Sequence, residues 1–347
     1  GGKTFTDNIL SSEQFFCNLG VENRNILADP FNTSDWWESH AGTDPFSIEG
    51  AKAYEKLMAG KEPLSENDRL IVIANVSDCP APNIGYTVLS QLKLRHKEFV
   101  APSILAIQGE GCSGFISGLL EADLYLKAMP DSRVIILSVE LMATPLHHPK
   151  VHEALINRVN SAPKKELSLL TQELIGLGIQ RYLFGDGCAA ALCVANHKGE
   201  GIKFTQFKKW TNLKPEDTHL LELRGIGTKA LPYGSPFGYF FQQPDLIIER
   251  LTQSYLPLAK EAMAESDISK LAFALHTGSN KILDLVKNSL GLSEHQVSYS
   301  RDILKHHGNM NGTTGAAILS KLSEQKVQND IVAIFFGLGF ALQMARQ

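Results

Sequence analysis

Two stretches of the chain repeat one order of apolar strands and amphipathic helices. Apolar runs of strand length without alternation are typical of buried, mostly parallel sheets. The matched segments are, in order, 70–75 with 270–276, 84–94 with 280–290, 103–108 with 296–300, 133–140 with 330–336, and 187–195 with 339–344. The repeat predicts an α/β protein built by tandem duplication, with one half in residues 1–200 and the other in residues 201–347.

A cysteine follows the second strand of the first half. Cys112 comes after the predicted strand 103–108 and a Gly-Glu-Gly turn, and a helical pattern of apolar residues begins directly behind it. The positive end of a helix dipole and unpaired backbone N–H groups favour a thiolate over a thiol. The sequence therefore predicts a nucleophilic sulfur at residue 112.

Three other interpretations of this turn remain open from the residues alone. Gly109, Gly111 and Gly114 match the dinucleotide fingerprint, although that fingerprint usually opens a domain and roughly a hundred residues precede it here. The turn is also similar to a nucleophile elbow, but Glu110 stands where the elbow has its first glycine. Free cysteines are often simply buried, so a core thiol is the third interpretation.

The duplication places two polar residues of the second half opposite this turn. His276 ends the strand 270–276, at the sheet edge where open α/β sheets bind ligands. Asn309 precedes a helix of small residues, as Cys112 does in the first half. If the halves pack face to face, then Cys112, His276 and Asn309 converge; taken singly, a core histidine and a turn asparagine are the plainer interpretations.

Composition excludes several classes of protein. A formal charge of −4 with scattered Lys and Arg predicts no nucleic-acid partner. Five cysteines without a C-x-x-C pair argue against a disulfide framework and a zinc site, and predict a reducing, cytoplasmic location. The spacing of His147, His148 and His152 could suggest a metal site, but exposed loop histidines are the plainer interpretation. No apolar run reaches the length of a membrane span.

Four motifs occur in a family order: Gly111-Cys-Ser-Gly-Phe115, Phe184-Gly-Asp-Gly187, His276-Thr-Gly-Ser-Asn-Lys281 and His307-Gly-Asn309. With them the chain resembles the thiolase-fold condensing enzymes, in the group of β-ketoacyl synthase III and the type III polyketide synthases. The resemblance implies a five-layer αβαβα fold, a homodimer, and a catalytic triad of Cys112, His276 and Asn309.

The same resemblance implies an acyltransferase that joins an acyl thioester to a malonyl-type thioester by decarboxylative Claisen condensation, through an acyl-cysteine. It implies thioesters of coenzyme A or of an acyl carrier protein as substrates, and neither a tightly bound cofactor nor a metal. Gly337 and Gly339 correspond to the glycine-rich active-site loop. Glu110 is a candidate auxiliary base, with a solvated turn carboxylate as the alternative.

The chain departs from the family pattern at three places. The opening strand is not recognisable, and Gln14 and Asn18 stand where a Trp and an Arg hold the coenzyme A adenine in synthase III. A helical insertion is predicted at about residues 142–181.

Alternative functions are acyl transfer to an alcohol or amine, thioester hydrolysis by Cys112, Asp186 and His276, and the role of a noncatalytic partner subunit. Asp186 has a plainer interpretation as a residue that shapes its turn.

Overall fold

The structure is a computed structural model that describes residues 19–28, 33–40, 42–79, 81–195, 201–224, 239–327 and 329–347. Its helices are α1 Thr33–Ser39, α2 Pro45–Met58, α3 Ile84–Arg95, α4 Gly114–Ala128, α5 Ala143–Leu146, α6 Pro149–Ser161, α7 Lys164–Leu183, α8 Pro244–Arg250, α9 Leu256–Glu261, α10 Asn280–Leu290, α11 Glu294–His307 and α12 Gly312–Glu324. Its strands are β1 Arg69–Ala74, β2 Ser103–Gln108, β3 Arg133–Leu141, β4 Asp186–Val194, β5 Gln206–Trp210, β6 Leu221–Arg224, β7 Tyr239–Gln242, β8 Ala272–Leu275, β9 Ile331–Phe336 and β10 Leu342–Arg346.

The first half forms a sheet with the strand order β2-β1-β3-β4. Strands β1, β2 and β3 are parallel, and β4 runs antiparallel to β3. Parallel strands need a crossover, which α3 and α4 supply. The sheet therefore brings the carboxyl ends of β1 and β2 to one edge, where Asn75 and the turn before Cys112 follow.

The second half forms a sheet with the order β5-β10-β9-β8. Here β8 and β9 are parallel, whereas β10 is antiparallel to both β9 and β5. Strand β5 begins at Gln206 and pairs with β10 at the edge of this sheet.

One predicted strand of the second half is wrong. Residues 296–300 lie inside α11, because a capping box starts that helix: the Ser293 side chain accepts from the Gln296 backbone, and the Gln296 side chain accepts from the Ser293 backbone. Val297, Ser300 and Leu304 then share the buried face of the helix. Helical spacing and a cap override the short apolar run.

Alternating side chains on the strands create the layers. In β1, Leu70 and Val72 face a cluster with α2 and α3, whereas Ile71 and Ile73 face a cluster that also contains α4, α12 and the second sheet. In β9, Val332 and Ile334 face α8 to α11 instead. Helices α4 and α12 thus lie between the two sheets, which gives the five-layer αβαβα order that the resemblance implies.

Residues 142–181 fall mostly within α5, α6 and α7, and α7 continues to Leu183. Within the described ranges, no helix is both long enough and apolar enough to cross a membrane.

Candidate active site

Cys112 lies at the junction of the two halves. It sits in a single 3-10 turn, Gly111–Ser113, that runs directly into α4, as the sequence predicts. The side chain is 7% exposed. Gly114 and Gly118 bring α4 close to β1, because a Cβ at either position would press on Ile73. Close packing of α4 on the sheet therefore fixes the position of the nucleophile turn.

Burial of the Cys112 sulfur has an electrostatic consequence. Desolvation raises the pKa of the thiol to about 12, although a hydrogen bond with Asn309 acts in the other direction. Glu140 adds to the rise. At neutral pH the resting sulfur is therefore a thiol, and it needs help from its neighbours to react as a thiolate.

Asn309 reaches the sulfur from the second half. The Cys112 Sγ donates to Asn309 Oδ1 at 3.4 Å. The Asn309 backbone is tied to the first half, because its N–H donates to the Leu183 carbonyl and its carbonyl accepts from the Gly185 N–H. A side chain at Gly185 would overlap the His307 carbonyl. The Phe184-Gly-Asp-Gly187 motif thus positions Asn309.

His276 follows the last residue of β8, and its backbone N–H donates to the Ile334 carbonyl at 2.9 Å. The ring packs on Phe336, with centroids 3.8 Å apart. Burial lowers the pKa of His276 to about 3, so the imidazole is neutral at pH 7 and keeps one N–H to donate. Within the described part of the chain, its Nδ1 has no hydrogen-bond partner.

Cys112, His276 and Asn309 line a single pocket with about 540 Å³ of empty space, its open mouth included. The rest of the wall is mainly apolar, formed by Leu183, Phe184, Leu221, Ile247, Ile282, Phe336 and Leu338. An apolar cleft with a few convergent polar groups is the usual form of a small-molecule site. The pocket joins residues from both halves, as the duplication predicts.

Asn311 is a pocket residue that the sequence reasoning missed. Its Oδ1 lies 3.3 Å from the Cys112 Sγ, as close as the corresponding atom of Asn309. The side chain is 1% exposed. Its position two residues after Asn309 in Gly-Asn-Met-Asn-Gly was the available signal.

Glu140 and Asn75 form a second buried group that was missed. Glu140 is fully buried, and its carboxyl group accepts from the Asn75 N–H at 3.1 Å and from Asn75 Nδ2 at 2.6 Å. Asn75 Oδ1 in turn accepts from the Gly111 N–H at 2.7 Å. The pair therefore holds the backbone beside Cys112. A carboxylic acid that ends an apolar strand was the sequence signal.

Glu110 lies beside the nucleophile turn but is not among the described residues that line the pocket. Its carboxylate accepts from Ser117, from Gln343 Nε2 at 2.9 Å and from Lys209 Nζ at 3.1 Å. Burial raises the pKa of Glu110, but these partners outweigh it and hold the pKa below its usual value. The structure shows this carboxylate bridging the two halves, so its role as an auxiliary base stays a prediction.

Gly337 and Gly339 stand on either side of the pocket residue Leu338. A Cβ at Gly337 would overlap the Glu110 carbonyl oxygen. Gly339 instead has a φ of +66° and open space around it. The loop therefore packs on the nucleophile turn through Gly337, and Leu338 reaches the pocket.

Asp186 forms hydrogen bonds with residues that do not line the pocket. Its carboxyl group accepts from the backbone N–H groups of Leu27, Ala143 and Thr144 and from the Thr144 hydroxyl. These bonds join β4 to α5, which fits the interpretation of a residue that shapes its turn. They also leave no contact between Asp186 and His276 of the kind that the hydrolase alternative needs.

Among the described residues, no three or more side chains are grouped so that they could hold a metal ion, and the side chain of His152 lies outside the described part of the chain. His147 is buried, and its Nδ1 pairs with the Ala143 carbonyl at 2.7 Å. Gln14 and Asn18 lie outside the described residues, so the structure says nothing of an adenine site there.

Comparison with known proteins shows what this chain is similar to. Residues 232–345 match the family model described as chalcone and stilbene synthases, C-terminal domain. A Bacillus subtilis (strain 168) protein that carries a chalcone synthase name is 29% identical over 213 residues, which is 60% of this chain. The chain spans about half of that relative's length, 51%.

Solved structures show the same fold. The tetrahydroxynaphthalene synthase of Streptomyces coelicolor A3(2), a bacterial type III polyketide synthase, superposes with a TM-score of 0.67 at 18% identity, over 97% of this chain and 90% of that one. CsyB, solved as a complex with coenzyme A, superposes with a TM-score of 0.68 at 16% identity, over 100% and 92% of the two chains. The resemblance to thiolase-fold condensing enzymes is thereby confirmed: the chain has the fold of the type III polyketide synthases, and its residues 232–345 match the chalcone and stilbene synthase C-terminal domain.

Proposed function

We propose that this protein is a polyketide-forming acyltransferase that joins an acyl thioester to a malonyl thioester by decarboxylative Claisen condensation. The observation that carries the proposal is the single pocket in which Cys112, His276 and Asn309 meet. A nucleophilic sulfur and two neutral hydrogen-bond donors are the groups that this reaction needs.

In the first step the Cys112 sulfur attacks the thioester carbonyl. A new carbon–sulfur bond forms on Cys112, the carbon–sulfur bond of the donor breaks, and the departing thiolate takes up the proton. The helix dipole of α4 favours the negative sulfur during this step. The product is an acyl-Cys112 thioester, with the acyl group against the apolar wall.

In the second step the malonyl thioester loses carbon dioxide. The electron pair of the broken carbon–carbon bond forms an enolate, whose negative oxygen accepts hydrogen bonds from the neutral His276 imidazole and the Asn309 carboxamide. Losing one such preorganised donor costs about 3 to 4 kcal/mol of transition-state stabilisation. The enolate carbon then attacks the acyl-Cys112 carbonyl, which forms the new carbon–carbon bond and frees the Cys112 thiolate.

Coenzyme A thioesters are the proposed substrates, because CsyB has the same fold and binds coenzyme A. The apolar pocket wall favours an apolar acyl group. A carrier-protein thioester is the alternative donor, and a direct comparison of the two donors separates them. The described cysteines, Cys79, Cys112, Cys188 and Cys193, are free thiols, which fits a reducing compartment.

We also propose a homodimer that forms through the edge of the first sheet. Strand β2 pairs only with β1 among the described strands, and most of its apolar residues are half-buried. Further exposed apolar side chains lie on the helices and loops that flank it: Tyr86, Leu94, Val100, Leu124 and Met129. An unprotected apolar edge strand is a template for pairing with another chain.

Intact-mass measurement tests the chemistry. The purified chain is mixed with acyl-coenzyme A, and malonyl-coenzyme A labelled at its free carboxyl is then added. We expect an acyl adduct on the wild type, followed by release of labelled carbon dioxide and a β-keto product. Cys112→Ala should show no adduct, whereas Cys188→Ala, which removes a partly buried thiol elsewhere in the first sheet, should keep it.

Four results would contradict this proposal. An adduct that survives Cys112→Ala would remove the nucleophile, and free acid without carbon dioxide would indicate hydrolysis. An acyl ester or amide without loss of carbon dioxide would indicate transfer to an alcohol or amine. A chain that takes up no acyl group from either donor would fit a noncatalytic partner subunit.

A further inference from the structure

Two carboxamide oxygens compete for one hydrogen at the nucleophile. The Cys112 Sγ lies 3.4 Å from Asn309 Oδ1 and 3.3 Å from Asn311 Oδ1. A thiol carries one hydrogen and can donate to one of them at a time. A thiolate carries none, so neither oxygen has a favourable contact once the sulfur is ionised.

Asn309 cannot resolve this conflict by turning. Its Oδ1 also accepts from the Asn311 backbone N–H at 2.9 Å, and the Thr314 hydroxyl lies 3.5 Å away. Rotation of this carboxamide would place its NH₂ group against another N–H donor. The Asn309 oxygen is therefore fixed toward the sulfur.

Asn311 is free to turn. Its Nδ2 is buried and has no hydrogen-bond partner among the residues that the structure describes, so the present orientation leaves a polar group unpaired. A half-turn of the carboxamide exchanges its oxygen and nitrogen within nearly the same outline. The N–H then points at the Cys112 sulfur, at the distance that the oxygen now has.

The backbone holds Asn311 in place for this role. Its φ is +48° and its ψ is −130°, a conformation that asparagine and glycine tolerate best. The next residue, Gly312, starts α12, so the side chain stands between the two helix starts that meet at the sulfur. The position of the carboxamide thus does not depend on a partner for its Nδ2.

No other described residue of the pocket wall brings a positive charge to the sulfur. The wall contains neither lysine nor arginine within the described ranges. The titratable groups near the sulfur are His276, which follows β8 and is neutral at pH 7, and Glu140 on β3. Besides the N-terminal end of α4, the group that can stabilise the thiolate is therefore a neutral side-chain N–H donor.

We propose that Asn311 is an additional catalytic residue, whose carboxamide turns to donate an N–H to the Cys112 thiolate. The thiolate exists before acyl transfer and again when carbon–carbon bond formation releases the sulfur. When the sulfur is a thiol, the carboxamide turns back and accepts its hydrogen. This inference rests on Cys112 as the nucleophile of the proposed function.

The test is the pH profile of Cys112 alkylation by iodoacetamide, followed by mass mapping of the peptide that contains Cys112. Asn311→Gly removes the carboxamide and keeps a residue that tolerates the positive φ. We expect the apparent pKa of Cys112 to rise by about one unit, with alkylation near neutral pH about tenfold slower, because a charge-assisted hydrogen bond is lost. Asn212→Gly is the matched control, since Asn212 also has a positive φ but is exposed. It should leave the profile unchanged.

The opposite sign would overturn the inference. If Asn311 only accepts from the thiol, then Asn311→Gly releases that bond, and Cys112 alkylates faster with a lower pKa. An unchanged profile would show that Asn311 does not affect the ionisation of Cys112, and it would also overturn the inference. Asn311→Asp keeps the size but cannot donate from an ionised carboxyl group, so it should not restore the rate.

Alkylation uses no thioester, which separates this inference from the proposed function. A chain that condenses nothing yet shows the Asn311 shift would support the inference and contradict the function. A chain that forms the acyl adduct but shows no shift would do the reverse.

Discussion

At the scale of single residues, the pocket depends on polar groups buried where water would otherwise solvate them. Two of them are held by specific partners: Asn309 by the backbone of residues 183–185, and the Gly111 N–H by Asn75. Such groups are costly to bury unpaired. Their partners therefore decide both the stability of the fold and the geometry of the sulfur.

Glu140 makes the stability of the protein depend on pH. Burial raises its pKa to about 8, against hydrogen bonds from Asn75 and Gly312 that lower it. Between the ordinary carboxyl pKa and this raised value, the folded state binds a proton that the unfolded state has lost, so stability falls as pH rises. Glu140→Gln should abolish this slope.

We compare the free energies of unfolding of Glu140→Gln and the wild type at two pH values. The difference, variant minus wild type, should increase by about 1 to 3 kcal/mol from about pH 5 to about pH 8.5. Urea denaturation at both pH values measures it. Glu153→Gln, which removes an exposed acid on α6, is the control and should follow the wild type. Parallel curves for Glu140→Gln and the wild type would show that Glu140 is ionised in the folded state.

Substitution of Glu110 distinguishes a structural role of this carboxylate from a chemical one. Glu110→Ala removes the partner of Ser117, Gln343 and Lys209, and should cost about 1 to 3 kcal/mol of stability. Because the carboxylate does not line the pocket, the acyl adduct on Cys112 and the condensation rate should stay within about twofold, a change worth under 1 kcal/mol.

Lys209→Met is the comparison for Glu110→Ala, since it removes only the half-exposed ion pair and should cost about 1 kcal/mol or less. A large loss of condensation in Glu110→Ala with unchanged stability would instead support the auxiliary base.

At the scale of elements, close backbone contacts set the position of the nucleophile turn. Gly337 lies against the Glu110 carbonyl, and Gly111 lies against the Leu338 N–H. These contacts join the last loop of the second half to the turn of the first. A strand-to-helix turn is visible in the sequence, but the loop that packs on it is two hundred residues away.

Gly337→Ala and Gly339→Ala should differ strongly. At residue 337 the new Cβ would collide with a backbone carbonyl that cannot move aside, which should cost about 3 kcal/mol or more. At residue 339 the space is open, and only the positive φ is penalised, by about 1 to 2 kcal/mol. Thermal unfolding compares them, and acylation of Cys112 should slow only in Gly337→Ala. Equal losses would mean that the loop does not pack on the turn in solution.

The helix α11 shows the limit of pattern reading at this scale. The duplication predicted a strand at residues 296–300, because a strand occupies that place in the first half. The capping box at Ser293 and the buried spacing of Val297 and Leu304 were both present in the sequence and outweigh a five-residue run. At this position, local helix signals therefore outweigh the symmetry between the halves.

At the scale of the whole molecule, the site exists because two sheets enclose α4 and α12. These two helices start at the sulfur from opposite halves, and both pack in the cluster between the sheets. The same layering leaves β2 as an edge of the first sheet.

The proposed dimer predicts that a charge on this edge separates the subunits. Ile104→Lys places an ammonium on the half-buried edge strand, which should weaken self-association at least tenfold, or about 1.4 kcal/mol. Light scattering over a concentration series measures it. Leu213→Lys, on an exposed apolar residue between β5 and β6, should leave association unchanged. A wild type that is monomeric at all concentrations would contradict the dimer.

The sequence by itself determined the order of most strands and helices, and the identity of Cys112, His276 and Asn309 as residues at strand or helix ends. These follow from periodicity and turn chemistry, which act over a few neighbouring residues. Only the tertiary structure decided that Asn311 contacts the Cys112 sulfur and that Glu140 lies nearby with Asn75. It also decided that the Glu110 carboxylate joins the two halves. Those contacts link residues up to more than two hundred positions apart, and their energies depend on burial, which no local pattern contains.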